Sequence, residues 1–294
     1  MNLTSLYQGL IDGVLTGAVY ALMAAGLTLI FGVMDIINIA QGVFVVLAAY
    51  LSYVLAVHFG VDLFIGILIT MPTLFLLGIA VDWAFIRRLP ARDRTTMSIL
   101  VTYAVAIVVE GVLSVIFGVN YVQLHGWYVI RSIYVLGFYL PYIYVFGFGM
   151  AVFLMGAIYL MLYRTRFGRS IRASLQNRPA ARLVGINVDR VATLTFGIGV
   201  AVTAAGGMVF GATTAFNPNS GYDLISRLLA IVILGGLGSM AGAMAAAISM
   251  LVVEDVVASV WSPLWSEVVF FAALVVVLTL RPQGLFGRSF SRAQ

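Results

Sequence analysis

Cysteine and lysine are both missing from this sequence, and histidine occurs only as His58 and His125. Without cysteine there is no disulfide and no thiolate chemistry. Without lysine there is no P-loop, which needs a Gly-Lys-Ser/Thr step to hold phosphates, and no Schiff base to a carbonyl cofactor. Two imidazoles and no thiol leave no conventional zinc set. Charge is scarce as well: 9% of residues are charged and 63% hydrophobic, where a soluble domain has roughly a quarter charged. The sequence has no Ser/His/Asp arrangement at interpretable spacing, no His-x-x-x-His and no acid pair beside a nucleophile. An enzyme is disfavoured.

What is present is long apolar runs. The 294 residues accommodate about seven to nine spans at roughly 20 residues each plus loops. The alternating polarity of an outer-membrane barrel is absent. The expectation is an all-α, polytopic transmembrane bundle forming one domain over 1–294. Spans are predicted at about 8–31, 39–57, 63–85, 97–118, 141–163, 191–215 and 266–280. The N-terminus lacks the positive region of a signal peptide, so the first span is expected to stay in the membrane.

All 16 basic residues are arginine, and the net charge is +5. They cluster in three places: Arg87, Arg88, Arg92 and Arg94; seven from Arg164 to Arg190; and Arg281, Arg288 and Arg292. Basic loops beside hydrophobic spans stay cytoplasmic, which explains the charge without nucleic acid. Tyr163–Arg190 is the longest polar interruption. Its interleaved alanine, leucine and glycine predict a short amphipathic helix offered to something in the cytoplasm. Tyr121, Trp127, Tyr128, Tyr134 and Tyr139 mark 119–139 as an external interfacial segment, and 216–223 reads as an external turn.

Two apolar stretches are interrupted. Leu224–Val260 is too long for one span and is predicted as two shorter helical pieces broken at 235–239, through Gly235, Gly236 and Gly238. Such breaks survive at membrane depth only where protein or a water-filled cavity receives the freed backbone groups. The same reasoning applies to 32–42, where Asp35, Asn38, Gln41 and Gly42 interrupt the chain. The spacing i, i+3, i+6 would place Asp35, Asn38 and Gln41 on one helix face, as the wall or gate of a translocation path. The alternative is a surface turn in which Asp35 caps the second span. Counting the broken stretch, odd parity puts the N-terminus outside.

Other polar residues have plainer readings. Asp82 is expected to pair with Arg87 and Arg88, Glu110 to make an interhelical hydrogen bond, Glu254-Asp255 to be solvated near an external end, and His58 to be interfacial. Gly13 with Gly17, and Gly206-Gly207 with Gly211, suit close helix packing.

Four segments carry a resemblance. Residues 25–50 (AGLTLIFGVMDIINIAQGVFVVLAAY) are similar to the N-terminal signature of permease subunits of the branched-chain amino acid class of ABC importers, in the H-type form. Residues 165–191 resemble that family's cytoplasmic loop, and 227–243 and 281–287 its C-terminal signatures. The resemblance implies an ATPase-coupling loop at about 164–190, in which Gly168, Arg172, Ala173, Ala180 and Gly185 fall on the pattern and Phe167 and Arg169 are further coupling candidates. Asn38, Ala40 and Gly42 match an Asn-x-Ala-His-Gly signature, with Gln41 at the histidine. Arg227 stands where lysine is common and Ala243 where proline is. The family further implies a bacterial cytoplasmic-membrane protein that imports branched-chain or similar small amino acids by alternating access. Its partners would be a paralogous M-type permease, two cytoplasmic ATPases holding ATP and magnesium, and a periplasmic or surface-tethered binding protein. Membrane lipid would surround it, and the chain itself would hold no cofactor. Relatives that import urea, short amides or small carboxylates keep the substrate class open. An ion-coupled secondary transporter with Asp35 or Glu110 titrating is the rival reading, and it has no use for the patterned basic loop.

Overall fold

The computed structural model describes residues 3–90, 93–135, 137–281 and 283–285. The chain opens with α1 (Leu3–Met34), α2 (Gln41–Phe59), α3 (Leu63–Ala84) and α4 (Arg94–Phe117). A short α5 (Trp127–Ile130) and the strands β1 (Ser132–Val135) and β2 (Phe138–Pro141) precede α6 (Tyr142–Arg164). Two short helices follow, α7 (Arg166–Gln176) and α8 (Arg178–Leu183). The chain then runs through α9 (Val188–Thr213), α10 (Gly221–Gly235), α11 (Met240–Val260) and α12 (Pro263–Leu280). Among the described residues, eight helices are long and apolar enough to cross a membrane: all but α5, α7, α8 and α10.

The bundle is built around α1 and α9, of whose spanning windows 72% and 83% are buried, while α4 and α12 at 17% and 11% form its rim. Small residues explain the centre. A side chain at Gly13 or Gly17 would run into the Val252 or Ile248 backbone of α11, and one at Gly26 would strike the Gly199 carbonyl of α9. Lipid tails are as apolar as leucine, so tight backbone contact rather than the hydrophobic effect holds such helices together. Gly207 and Gly211 serve the same purpose against Val45 and Ala49 of α2.

Orientation follows from one contact. The Arg178 guanidinium donates to the Val33 carbonyl, so the C-terminal end of α1 shares a face with the arginine-rich segment. The positive-inside rule would put that face on the cytoplasmic side and the start of α1 on the external side. On the opposite face the Tyr128 hydroxyl donates to Asp62 Oδ2 (2.9 Å) and accepts from the Leu63 amide (3.2 Å), clamping α5 onto the start of α3. Burial, and then the Asp62 hydrogen bond, push that phenol above its ordinary pKa. Beside it β1 and β2 form an antiparallel hairpin with Ser132 opposite Pro141. The all-α expectation did not include this hairpin; its β-branched and aromatic residues suit a pleated, half-buried ribbon.

Candidate functional site

The chain between α1 and α2 is not helical. This corrects the expectation of one helix face through Asp35, Asn38 and Gln41. Asp35 has φ 53°, a left-handed conformation that ends α1, and its side chain is 71% exposed. Nor does Asp35 cap α2, whose N-cap is Ala40. Asn38 and Gln41 are fully buried. Asn38 Nδ2 donates to Gln41 Oε1 (2.9 Å), and Gln41 Nε2 donates to the Gly199 carbonyl of α9 (3.0 Å). Gly42 lets α2 rest on the Gly221 carbonyl of α10.

The freed backbone groups are met by α4. The Thr95 hydroxyl donates to the Asp35 carbonyl (2.7 Å), while Thr102 Oγ1 accepts from the Ile39 amide (3.1 Å) and reaches the Ile37 carbonyl (3.3 Å). Sequence reasoning missed both threonines. Their spacing of seven, two helical turns on one face, was the available signal.

The second break lies at Gly236–Ser239, between α10 and α11. Gly236 (φ 93°) and Gly238 (φ 81°) take conformations closed to other residues without strain, and Gly235 packs against the Gly242–Ala243 backbone. Ser239 Oγ accepts from the Gly242 amide (3.1 Å) and starts α11. The Leu285 amide donates to the Leu234 carbonyl (2.7 Å), so two separate C-terminal signatures meet at one helix end. The break falls where expected. The two pieces are unequal, however: α10 has 15 residues, about 22 Å at 1.5 Å per residue, and α11 has 21, enough to span. Of residues 281–287, Pro282, Phe286 and Gly287 lie outside the described residues, as do Arg92, Arg288 and Arg292.

The basic segment folds as α7 and α8, each started by a side-chain cap: Thr165 Oγ1 accepts from the Gly168 amide and Asn177 Oδ1 from the Ala180 amide, both at 3.0 Å. Gly168 sits on the last carbonyls of α6, Ile171 is buried, Phe167 and Ala173 are half-buried, and Arg169 and Ala180 are exposed. Arg172 is half-buried, its guanidinium 4.9 Å from the centre of the Tyr163 ring. Gly185 (φ 84°) closes α8 by donating to the Arg182 carbonyl (3.0 Å). This turn presents Leu183 and Val184, 89% and 76% exposed, among arginines. Neither had been singled out, although an apolar pair inside a polar loop was visible.

This unit touches the first break directly and faces the second across Gly32 of α1. Arg178 binds the Val33 carbonyl and lies 3.9 Å from Asp35. Burial draws its pKa down and Asp35 opposes that. At Gly32, a Cβ would stand 3.0 Å from Leu175 of α7 and 3.8 Å from the Gly238 Cα. The end of α1, the basic unit and the α10–α11 break thus meet at one point.

The family model for the permease component of branched-chain amino acid transport systems matches residues 9–278. The chain belongs to this family. It is 28% identical to the high-affinity branched-chain amino acid transport system permease protein BraD of Pseudomonas aeruginosa, over 96% of this chain and 95% of that one. It is 27% identical to the corresponding LivH of Escherichia coli strain K12, over the same shares. A probable LivH of Methanocaldococcus jannaschii is 26% identical over 76% of this chain and 71% of the relative. No solved structure matches significantly.

Elsewhere in this permease the structure corrects two expectations about charge. Asp82 is buried and accepts from Thr193 of α9 (2.5 Å); no ion pair joins it to Arg87 or Arg88. Glu254 is not solvated: it is buried at 7% exposure, and Arg227 Nη1 of α10 lies 2.6 Å from its Oε1. Neither pairing is local in sequence. Glu110 does lie across from another helix, beside Tyr222 of α10, and His58 is exposed at the C-terminal end of α2.

Proposed function

We propose that the chain is the H-type permease subunit of an ATP-driven importer of branched-chain or similar small amino acids, working by alternating access in a bacterial cytoplasmic membrane. Family membership supports the transport role, and the relatives named above carry branched-chain amino acid transport in their names. The observation that carries the coupling mechanism is the convergence of α7–α8 with both helix breaks.

On this reading, Leu183 and Val184 dock into an ATPase subunit, with Arg169 and Arg182 around them. ATP-driven closure of two such subunits moves α7–α8. The motion passes through Arg178 to the end of α1 and through Leu175 and Gly32 to the turn at Gly238. Helices with discrete breaks can then take two packings, and the ATPases bias one over the other through different contacts in each. Asn38, Gln41 and Gly42 hold α2 against α9 and α10 beside the path. ATP and magnesium reside on the partner subunits. A paralogous permease completes the path, and a binding protein delivers substrate to the external face at 119–139 and 216–223.

The test is co-purification. Affinity capture of this chain from native membranes is expected to retain ATPase subunits, a second permease and a binding protein. Leu183→Asp is expected to lower ATPase retention at least fivefold without changing membrane insertion. ATPases held equally well by Leu183→Asp would place the docking surface elsewhere.

A further inference from the structure

Away from the breaks, a cavity of about 160 Å³ lies among α1, α6, α9, α10 and α11. Thr213 and Thr214, at the end of α9 opposite the basic segment, line it, so it sits toward the external side. Three charged side chains line it: Arg227, Glu254 and Asp255. Their valences are incompletely used. Arg227 Nη1 serves Glu254 Oε1, while its Nη2 has no hydrogen-bond partner among the described residues: Glu267 Oε1 of α12 is 3.7 Å away, and the guanidinium carbon stands 5.7 Å from the centre of the Phe270 ring. The Glu254 side chain is 9% exposed, and its Oε2 has no partner. Asp255 accepts from Thr16 Oγ1 (2.9 Å) through Oδ2 alone among the described hydrogen bonds. The remaining wall includes Val19, Met23, Phe210 and Leu251.

We propose that this cavity is an entry site for the zwitterion of an apolar α-amino acid. The ammonium is received by Glu254 Oε2 and Asp255, the carboxylate by Arg227 Nη2, and the side chain by Val19, Met23 and Phe210. Buried polar groups left unpaired are costly, and a site built to pair them rejects ligands lacking the matching group. An ion pair kept for structure alone needs neither the open carboxylate oxygen nor the cavity beside it. The proposal rests on the importer reading and gives that reading a substrate-contacting site.

The cysteine-free sequence supplies the experiment. Thr213→Cys places one thiol at the cavity, and its reaction with a membrane-impermeant thiol reagent is followed on this chain by mass spectrometry, in the complete complex in proteoliposomes. L-Leucine is expected to slow the reaction at least fivefold. 4-Methylpentanoate, which lacks the ammonium, and 3-methylbutylamine, which lacks the carboxylate, are expected to protect less than twofold. Adding Asp255→Asn should remove the protection by leucine. An unchanged rate with leucine, in a complex that takes up leucine on ATP, overturns the site and leaves the importer standing. Equal protection by the amine overturns the assignment of Arg227. Protection by leucine without ATP-driven uptake sustains the site and contradicts the importer reading.

Discussion

At the scale of single residues, the buried Asn38–Gln41–Gly199 chain of hydrogen bonds is the most exposed to substitution. Gln41→Leu removes the second bond to the Gly199 carbonyl, which keeps its helical partner, and leaves the buried Asn38 amide without one, a cost of about 1–3 kcal/mol for the orphaned group. Its melting temperature in detergent should fall clearly. Gln41→His, which keeps a ring N–H donor, should lose much less; equal losses would remove the hydrogen-bond argument. The polar character of Asn38 and Gln41 was legible in the sequence, but their companion Asp35 was misplaced. A spacing of i, i+3, i+6 suits a helix, and only the backbone shows that Asp35 turns left-handed and leaves that face. The Arg227–Glu254 pair was illegible for a different reason. Its members lie 27 residues apart on separate helices, and hydropathy along the chain does not report pairing between helices.

Among elements, the two breaks decide the architecture. Polar residues interrupting one apolar run and glycines crowding another announced both, because an unsatisfied backbone at membrane depth is prohibitive without a receiving structure. What receives it was hidden. Thr95 and Thr102 lie on α4, and Leu285 beyond α12, so the satisfying groups come from distant sequence. The unequal lengths of α10 and α11 were hidden too, since both pieces are equally apolar to a hydropathy reading. Gly238→Ala forces a Cβ onto a backbone at φ 81°, a strain of about 1–3 kcal/mol. The turn also meets Gly32 beside the basic unit, so the variant should uncouple more than it destabilises. ATP hydrolysis is expected to persist with transport reduced at least tenfold, measured in the same vesicles. Full transport by Gly238→Ala would mean that this turn is not part of the moving path.

For the whole molecule, the fold class followed from scarcity of charge, and the proposed orientation rests on where the arginines lie. The buried centre at α1 and α9 follows from glycines that permit backbone contact, and these too are visible as small residues at helical spacing. The rim is a different matter. The exposed apolar surfaces of α4 and α12 suit lipid and a second permease equally, and both partners share one chemistry. The account joins an arginine-rich cytoplasmic unit, two broken helices and an external cavity into one path driven from the cytoplasmic side. Its central claim is most directly tested by uptake of labelled leucine into proteoliposomes holding the complex co-purified with this chain, with the binding protein outside. Uptake that requires ATP on the side of the arginine-rich segment, and that persists when ion gradients are dissipated, is the predicted result. Uptake by this chain alone, without ATP and driven by a proton or sodium gradient, would contradict the account.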